Sequence, residues 1–197
     1  FTILSALHDV FGQQIYEKEF FTNTLELINT TLKMDKTLVV WQSPEKPTMF
    51  TPKWMMGYSK EEAVEVQDKQ LEFHLDDQSL TRPFIFNQKS TPNPISNQIR
   101  NNFLLQFFVA IPIRIQGQIE GWMLSARDKE AWPFYPPLDQ GDMDTLVAIG
   151  GFIEAGLANA SLYSSLEKAN QELEAYNHEL ERRVAERTKD LRIRNQE

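Results

Sequence analysis

Leucines at 166, 173 and 180 recur every seven residues, and that spacing constrains the chain more than any other feature. A heptad of apolar residues runs as one seam along a helix and needs a second helix to cover it. The companion positions hold Tyr163, Asn170, Asn177, Val184 and Leu191. The seam Tyr163, Leu166, Asn170, Leu173, Asn177, Leu180, Val184, Leu191 therefore suits two identical helices side by side, a homodimer. Asparagine at consecutive seam positions weakens such a pair, fixes its register and favours parallel pairing. Two readings stay open: a soft dimer that shifts between two packings, or a poor coil that frays. Arg187 and Arg194 at later seam positions favour fraying beyond Val184.

This seam is the second half of one long helix expected over Pro137–Glu197. In the first half Leu146, Ile149, Ile153, Leu157 and Ala160 make one stripe at helical spacing. Gly151, Ala155, Ala158 and Leu162 make a nearly opposite stripe of mostly small residues. One stripe can lie on a sheet while the other takes a close neighbouring helix. Proline is tolerated near the helix start. Asp139, Asp142 and Asp144 suit its positive end.

Upstream, periodicity and turn chemistry predict helices over Thr2–Phe11 and Tyr16–Lys33, the second burying Phe21, Leu25, Ile28 and Leu32. Strands are expected over Thr37–Gln42 and Met49–Met56, the latter bent by Pro52. Ser59 and Glu62 have the spacing of a capping box for a short helix reaching Leu71. A polar connection from Phe73 to Arg82 follows, then a short strand Pro83–Asn87 and a short helix Ile95–Asn102. Val109, Ile111, Ile113 and Ile115 alternate along a strand Gln106–Ile115, and Gln116-Gly117-Gln118 turns it back into Ile119–Arg127. Helices at both ends of a largely antiparallel sheet make an α+β domain.

Composition excludes several classes. Hydrophobic residues are 41%, enough for a core, and the formal charge of -8 argues against a nucleic-acid surface. The chain has no cysteine, which excludes disulfides, thiolate metal sites and a thioether-linked chromophore, and fits a reducing, cytoplasmic compartment. The longest apolar run, Phe103–Ile113, is broken by Gln106 and Pro112 and is too short to span a bilayer. No membrane contact is expected within these residues. Opening on Phe1 and stopping in mid-pattern at Glu197, the chain reads as a piece of a longer protein, whose membrane tether, if present, would lie outside it.

Val109-Ala110-Ile111-Pro112-Ile113 with Gly117 and Gly121, then Trp132-Pro133-Phe134, then Leu157-Ala158-Asn159-Ala160-Ser161-Leu162-Tyr163, resemble in order and spacing the landmarks of a GAF domain. The similarity covers Ile3 to Tyr163. It implies a GAF-like antiparallel sheet flanked by helices over residues 1–163, a small-molecule or light sensor module, followed by a signalling helix and parallel coiled coil over 164–197. The stretch Leu173-Glu174-Ala175-Tyr176-Asn177-His178-Glu179-Leu180-Glu181-Arg182-Arg183-Val184-Ala185-Glu186-Arg187-Thr188 resembles the linker before the catalytic part of bacterial sensor histidine kinases. Similar linkers precede cyclase and phosphatase domains.

The resemblance places a ligand between the sheet and its covering loops and short helices. Trp41, Phe50, Trp54, Phe73, Phe84, Phe86 and Trp122 are the candidate lining, suited to a flat or apolar ligand, although aromatics so spaced are more often plain core. Trp122 and Met123 are the expected points where pocket and long helix communicate. The ligand itself stays unknown. Of the Asn, Lys, Phe, Asp and Glu set of cyclic-nucleotide-binding GAF domains only Asn87 and Lys89 offer a fragment. A covalent bilin needs a cysteine. His74, the one histidine of the cover, reads as a surface residue rather than a haem ligand. Glu72 with Asp76-Asp77 could hold a hard cation but reads as a solvated acidic loop, and Asp139, Asp142 and Asp144 lack the spacing of a calcium site. His178 lacks the Arg-Thr-Pro continuation of a phospho-accepting histidine and reads as an exposed helix residue. No nucleophile elbow, phosphate loop or metallohydrolase motif is present, so neither catalysis nor a metal is expected. The sensory reading stands beside two others: a ligandless dimerisation scaffold, and a cyclic-nucleotide module controlling a cyclase or phosphodiesterase.

Overall fold

The computed structural model describes residues 17–72, 81–127 and 136–194. The helix expected over Thr2–Phe11, the candidates Phe73, His74 and Asp76-Asp77, and the Trp132-Pro133-Phe134 loop lie outside the described residues, as do the side chains of Leu191 and Arg194. The chain forms two compact units, Phe1–Gly156 and Leu157–Glu197.

In the first unit the described elements run α1 (Glu17–Leu32), β1 (Lys36–Gln42), β2 (Met49–Met56), α2 (Lys60–Gln67), β3 (Leu71–Glu72), β4 (Phe84–Phe86), α3 (Pro94–Phe103), β5 (Phe108–Ile115), β6 (Gln118–Ala126) and the start of α4 (Gln140–Arg194). The strands form one antiparallel sheet in the order β3-β2-β1-β6-β5-β4. The long hairpin β5–β6 turns through Gln116 (φ 52°) and Gly117 (φ 83°), the positive-φ pair that a two-residue turn requires.

Local chemistry explains the short helices. Ser59 Oγ accepts from the Glu62 N–H at 3.2 Å, and the Glu62 carboxylate accepts from the Ser59 N–H at 2.9 Å. That is the capping box expected from the sequence. Asn93 and Ser96 cap α3 in the same reciprocal way, with Pro94 opening it and Leu104 (φ 54°) closing it.

The sheet buries both faces. One face carries Leu38, Val40, Phe50, Phe86, Phe108, Ala110, Trp122 and Leu124, packed with Val66 of α2 and Ile99 and Phe103 of α3 in a single cluster. The other face takes α1, whose Phe21, Leu25 and Ile28 are at most 1% exposed, and the start of α4, whose Leu146, Ile149 and Ile153 are equally buried. At Gly150 a Cβ would stand 2.9 Å from Ile111 Cγ2, so helix and strand approach closely there. By length and composition α4 could cross a membrane, and 22% of its apolar window is buried within the folded unit. The opposite stripe, Gly151, Ala155, Ala158 and Leu162, is exposed.

The second unit is the remainder of α4. Tyr163, Leu166, Leu173 and Val184 of the seam are 73%, 58%, 59% and 64% exposed, and Leu162 and Tyr176 beside the seam are exposed as well. Glu179 pairs along the helix with Arg183 at 2.8 Å.

Candidate functional site

The candidate aromatics do not form one set. Phe50, Phe84, Phe86 and Trp122 belong to the cluster under α2 and α3. Trp41 and Trp54 lie on the opposite face against α1, where Trp54 stacks on Phe21 at 3.8 Å between ring centroids and meets Trp41 edge-on at 5.6 Å. The reason is a bulge. Pro52 pairs with Val40 and Trp54 with Val39, so the register slips at Lys53. Trp54 therefore points away from Phe50 although both are even-numbered. Lys53 spans the two indoles, its Nζ 4.3 Å from the Trp54 ring and 5.1 Å from the Trp41 ring. Gly121 sits beneath Trp41: a Cβ there would stand 2.6 Å from Trp41 Cε3 and 2.8 Å from Val40 O.

Under α2 and α3 the packing is close. Phe50 and Trp122 have no accessible surface, so neither borders a space that a water could enter. Phe84 and Phe86 lie edge-on and stacked against Phe108. Trp122 thus faces α2 and α3. Its neighbour Met123, register partner of Ile111, faces α4. The expected communication point straddles the sheet: one side chain on each face.

A polar clasp holds the cover down. Lys36 Nζ donates to Glu62 Oε1 at 2.7 Å and to Leu104 O at 3.3 Å, and Tyr58 OH donates to Phe103 O at 2.9 Å. Lys36 also lies 5.2 Å from the centre of the Tyr58 ring. Burial, reinforced by the Glu62 charge, pushes the Tyr58 phenol far above its ordinary range, so it stays a hydrogen-bond donor. The bond from Lys36 and the Ser59 backbone N–H hold the Glu62 carboxyl below its ordinary range, against a smaller opposing effect of burial.

The fragment of a nucleotide-binding pattern is committed to structure. Asn87 Nδ2 donates to Leu138 O at 2.9 Å, and its Oδ1 accepts from the Lys89 N–H at 3.0 Å, forming a turn. His178 is 84% exposed. Among the described residues no group of three His, Asp or Glu side chains is placed to hold a metal ion.

A cleft of about 500 Å³ opens at the hairpin end of the sheet, lined by Gln42, Pro47, Thr81, Arg114, Gly117, Gln118, Ile119 and Glu120. Arg114 sits at a register slip of β5. Its Nη2 donates to Thr81 O, and its backbone N–H donates to Glu154 Oε1 of α4 at 2.6 Å. This cleft lies apart from the expected aromatic site, and no aromatic residue lines it.

Comparison with known protein families and with curated proteins finds no match. Solved structures do match. A GAF domain/HD domain protein from Geobacter sulfurreducens aligns over 81% of this chain and 98% of its own, with TM-score 0.55 and 15% identity. A methyl-accepting chemotaxis protein aligns over 82% of this chain and 99% of its own, with TM-score 0.62 and 10% identity. A domain ascribed to a two-component sensor histidine kinase of Sinorhizobium meliloti 1021 aligns over 79% and 97%, with TM-score 0.53 and 12% identity. The six-stranded antiparallel sheet, the two short helices on one face and the two longer ones on the other are the fold of a GAF domain, and in this chain that fold is continued by a long C-terminal helix.

Proposed function

We propose that the chain is the sensory part of a larger cytoplasmic signalling protein, a homodimer that relays a stimulus through its paired C-terminal helices to an output domain, a histidine kinase. The observation that carries this reading is the exposed heptad row on α4, joined in one continuous helix to residues buried on the sheet. A stimulus that changes packing in the sheet moves the start of α4 and biases the helix pair between two arrangements. The likeness to domains of a chemotaxis protein and of a two-component sensor supports the signalling role. No catalytic step is assigned to these residues, and no contact with nucleic acid or a membrane.

A second reading has one specific observation in its favour. Among the described residues of the sheet face under α2 and α3, Phe50 and Trp122 are sealed from solvent. That suits a ligandless dimerisation scaffold whose stimulus arrives from elsewhere in the parent protein.

Grafting the chain upstream of a histidine-kinase core tests the relay. Inserting residues one at a time after Val184, up to a full heptad, should make autophosphorylation rise and fall with helical phase. A rate independent of insert length would remove the relay reading.

A further inference from the structure

We propose that the hairpin-end cleft binds a small zwitterion, a carboxylate and an ammonium on one short carbon frame as in an α-amino acid, and that Arg114 couples the cleft to α4 through Glu154. The proposal rests on the sensory reading only for its consequence; the binding chemistry stands on the cleft alone.

The cleft has the volume of a small-molecule site. Its lining holds one cation, Arg114, and one anion, Glu120. Both are half-buried, so solvent screens them less than it screens surface charges. They do not pair with each other: the ion pairs among the described residues join other side chains. Two opposite charges on residues that border one cavity, with no ion pair between them, disfavour simple ions. An anion drawn to Arg114 is repelled by Glu120, and a cation drawn to Glu120 is repelled by Arg114. A ligand carrying both charges satisfies both. Gln42 and Gln118 add amide groups that suit its polar edges, and Ile119 offers an apolar wall for a side chain.

Arg114 is built to report occupancy. Its bond to Thr81 O uses one of five guanidinium N–H donors, and a fork of the others can grip a carboxylate. Its backbone N–H is held by the Glu154 carboxylate at 2.6 Å, a charge-assisted bond. The same residue lies at the irregular step of β5, where a strand can re-aim a side chain. Drawing the guanidinium into the cleft shifts the peptide that Glu154 holds.

The test titrates the purified chain with glycine, L-alanine, L-leucine, L-glutamate and L-lysine at up to about 10 mM, following the melting temperature. Acetate and methylammonium serve as single-charge controls. At least one amino acid should raise the melting temperature while neither control does. Arg114→Gln and Glu120→Gln should each weaken that binding roughly tenfold or more. Glu154→Gln should keep the binding but lose the ligand-induced change in hydrogen exchange over residues 146–156. No shift with any of the five, an equal shift with acetate, or a shift that survives both cleft substitutions would overturn the proposal. Should the amino acids fail while the kinase graft still responds to helical phase, the cleft falls and the relay stands. Should they bind while the graft ignores phase, the relay falls and the cleft stands.

Discussion

Arg127 and Asp142 meet as a two-point pair, Nη1 to Oδ2 at 3.1 Å and Nη2 to Oδ1 at 2.9 Å. The same guanidinium donates to Leu32 O at 2.7 Å, Lys33 O at 3.3 Å and Pro136 O at 3.1 Å. One side chain therefore closes the C-terminal end of α1, the end of β6 and the approach to α4. Asp142 and Asp139 cap the start of α4 reciprocally, each backbone N–H donating to the other's carboxylate at 3.1 Å. Of the acidic cluster that lacked calcium spacing, Asp139 and Asp142 form a helix cap, and Asp144 accepts from Gln140 Nε2 at 2.8 Å.

With Arg127 only 8% exposed, Arg127→Ala strands three carbonyls and a half-buried carboxylate. We expect a loss of about 3 kcal/mol in urea unfolding, with Arg127→Lys recovering less than half because an ammonium cannot form the fork. A loss below about 1 kcal/mol, as for a surface pair, would show the clasp to be incidental.

The hydrophobic pattern made most of the framework legible. Phe21, Leu25 and Ile28 at helical spacing, the alternation Val109, Ile111, Ile113, and the Ser59–Glu62 box each specify their element within the sequence window that forms it. What escaped is what depends on distant pairing. β3 is two residues long, Leu71 and Glu72, and exists only by bonding to β2. Trp41 lies in the run Leu38-Val39-Val40-Trp41, apolar at every position, so alternation cannot say which face it takes. Pro52, lacking an N–H for the ladder, was the clue to the bulge that turns Trp54 away from Phe50. The cleft joins residues from four separate segments, Gln42 to Glu120, and no local pattern announces it.

Gly121 should tolerate no side chain. Gly121→Ala sets a methyl 2.8 Å from Val40 O, which the sheet holds fixed, and forces the Trp41 indole off its seat. The expected result is about 2 kcal/mol of destabilisation with a changed tryptophan near-UV circular dichroism signal. Wild-type stability and an unchanged signal would contradict the packing described.

Acid should weaken the clasp over the helical cover. The folded-state pKa of Glu62 is depressed, chiefly by Lys36. Its stabilising contribution is therefore present above the unfolded value and lost as pH falls through the lower folded value. Because Glu62 is 34% exposed, the contribution is small, below about 1 kcal/mol. Glu62→Gln should lower stability at neutral pH and leave the most acidic part of the pH profile unchanged. A variant parallel to wild type at every pH would show that Lys36 gains nothing from the charge.

Asn170 and Asn177 are both exposed on the isolated helix. If they sit in the seam of a pair, replacing both with Ile should tighten the dimer roughly tenfold or more and hold the output in one state. Sedimentation equilibrium reads the first effect and autophosphorylation of the kinase graft the second. Unchanged values in both would make the asparagines irrelevant to pairing.

Because the chain has no cysteine, one introduced thiol reports helix pairing without background. Leu173→Cys lies on the seam, and Ala175→Cys on the outward face of the same heptad. In a parallel, in-register pair the two 173 positions come close enough for a disulfide, and the two 175 positions do not. Mild oxidation of the full chain should convert Leu173→Cys to covalent dimer and leave Ala175→Cys monomeric on a denaturing gel. No crosslink at 173, or equal yields at both positions, would contradict the paired helix.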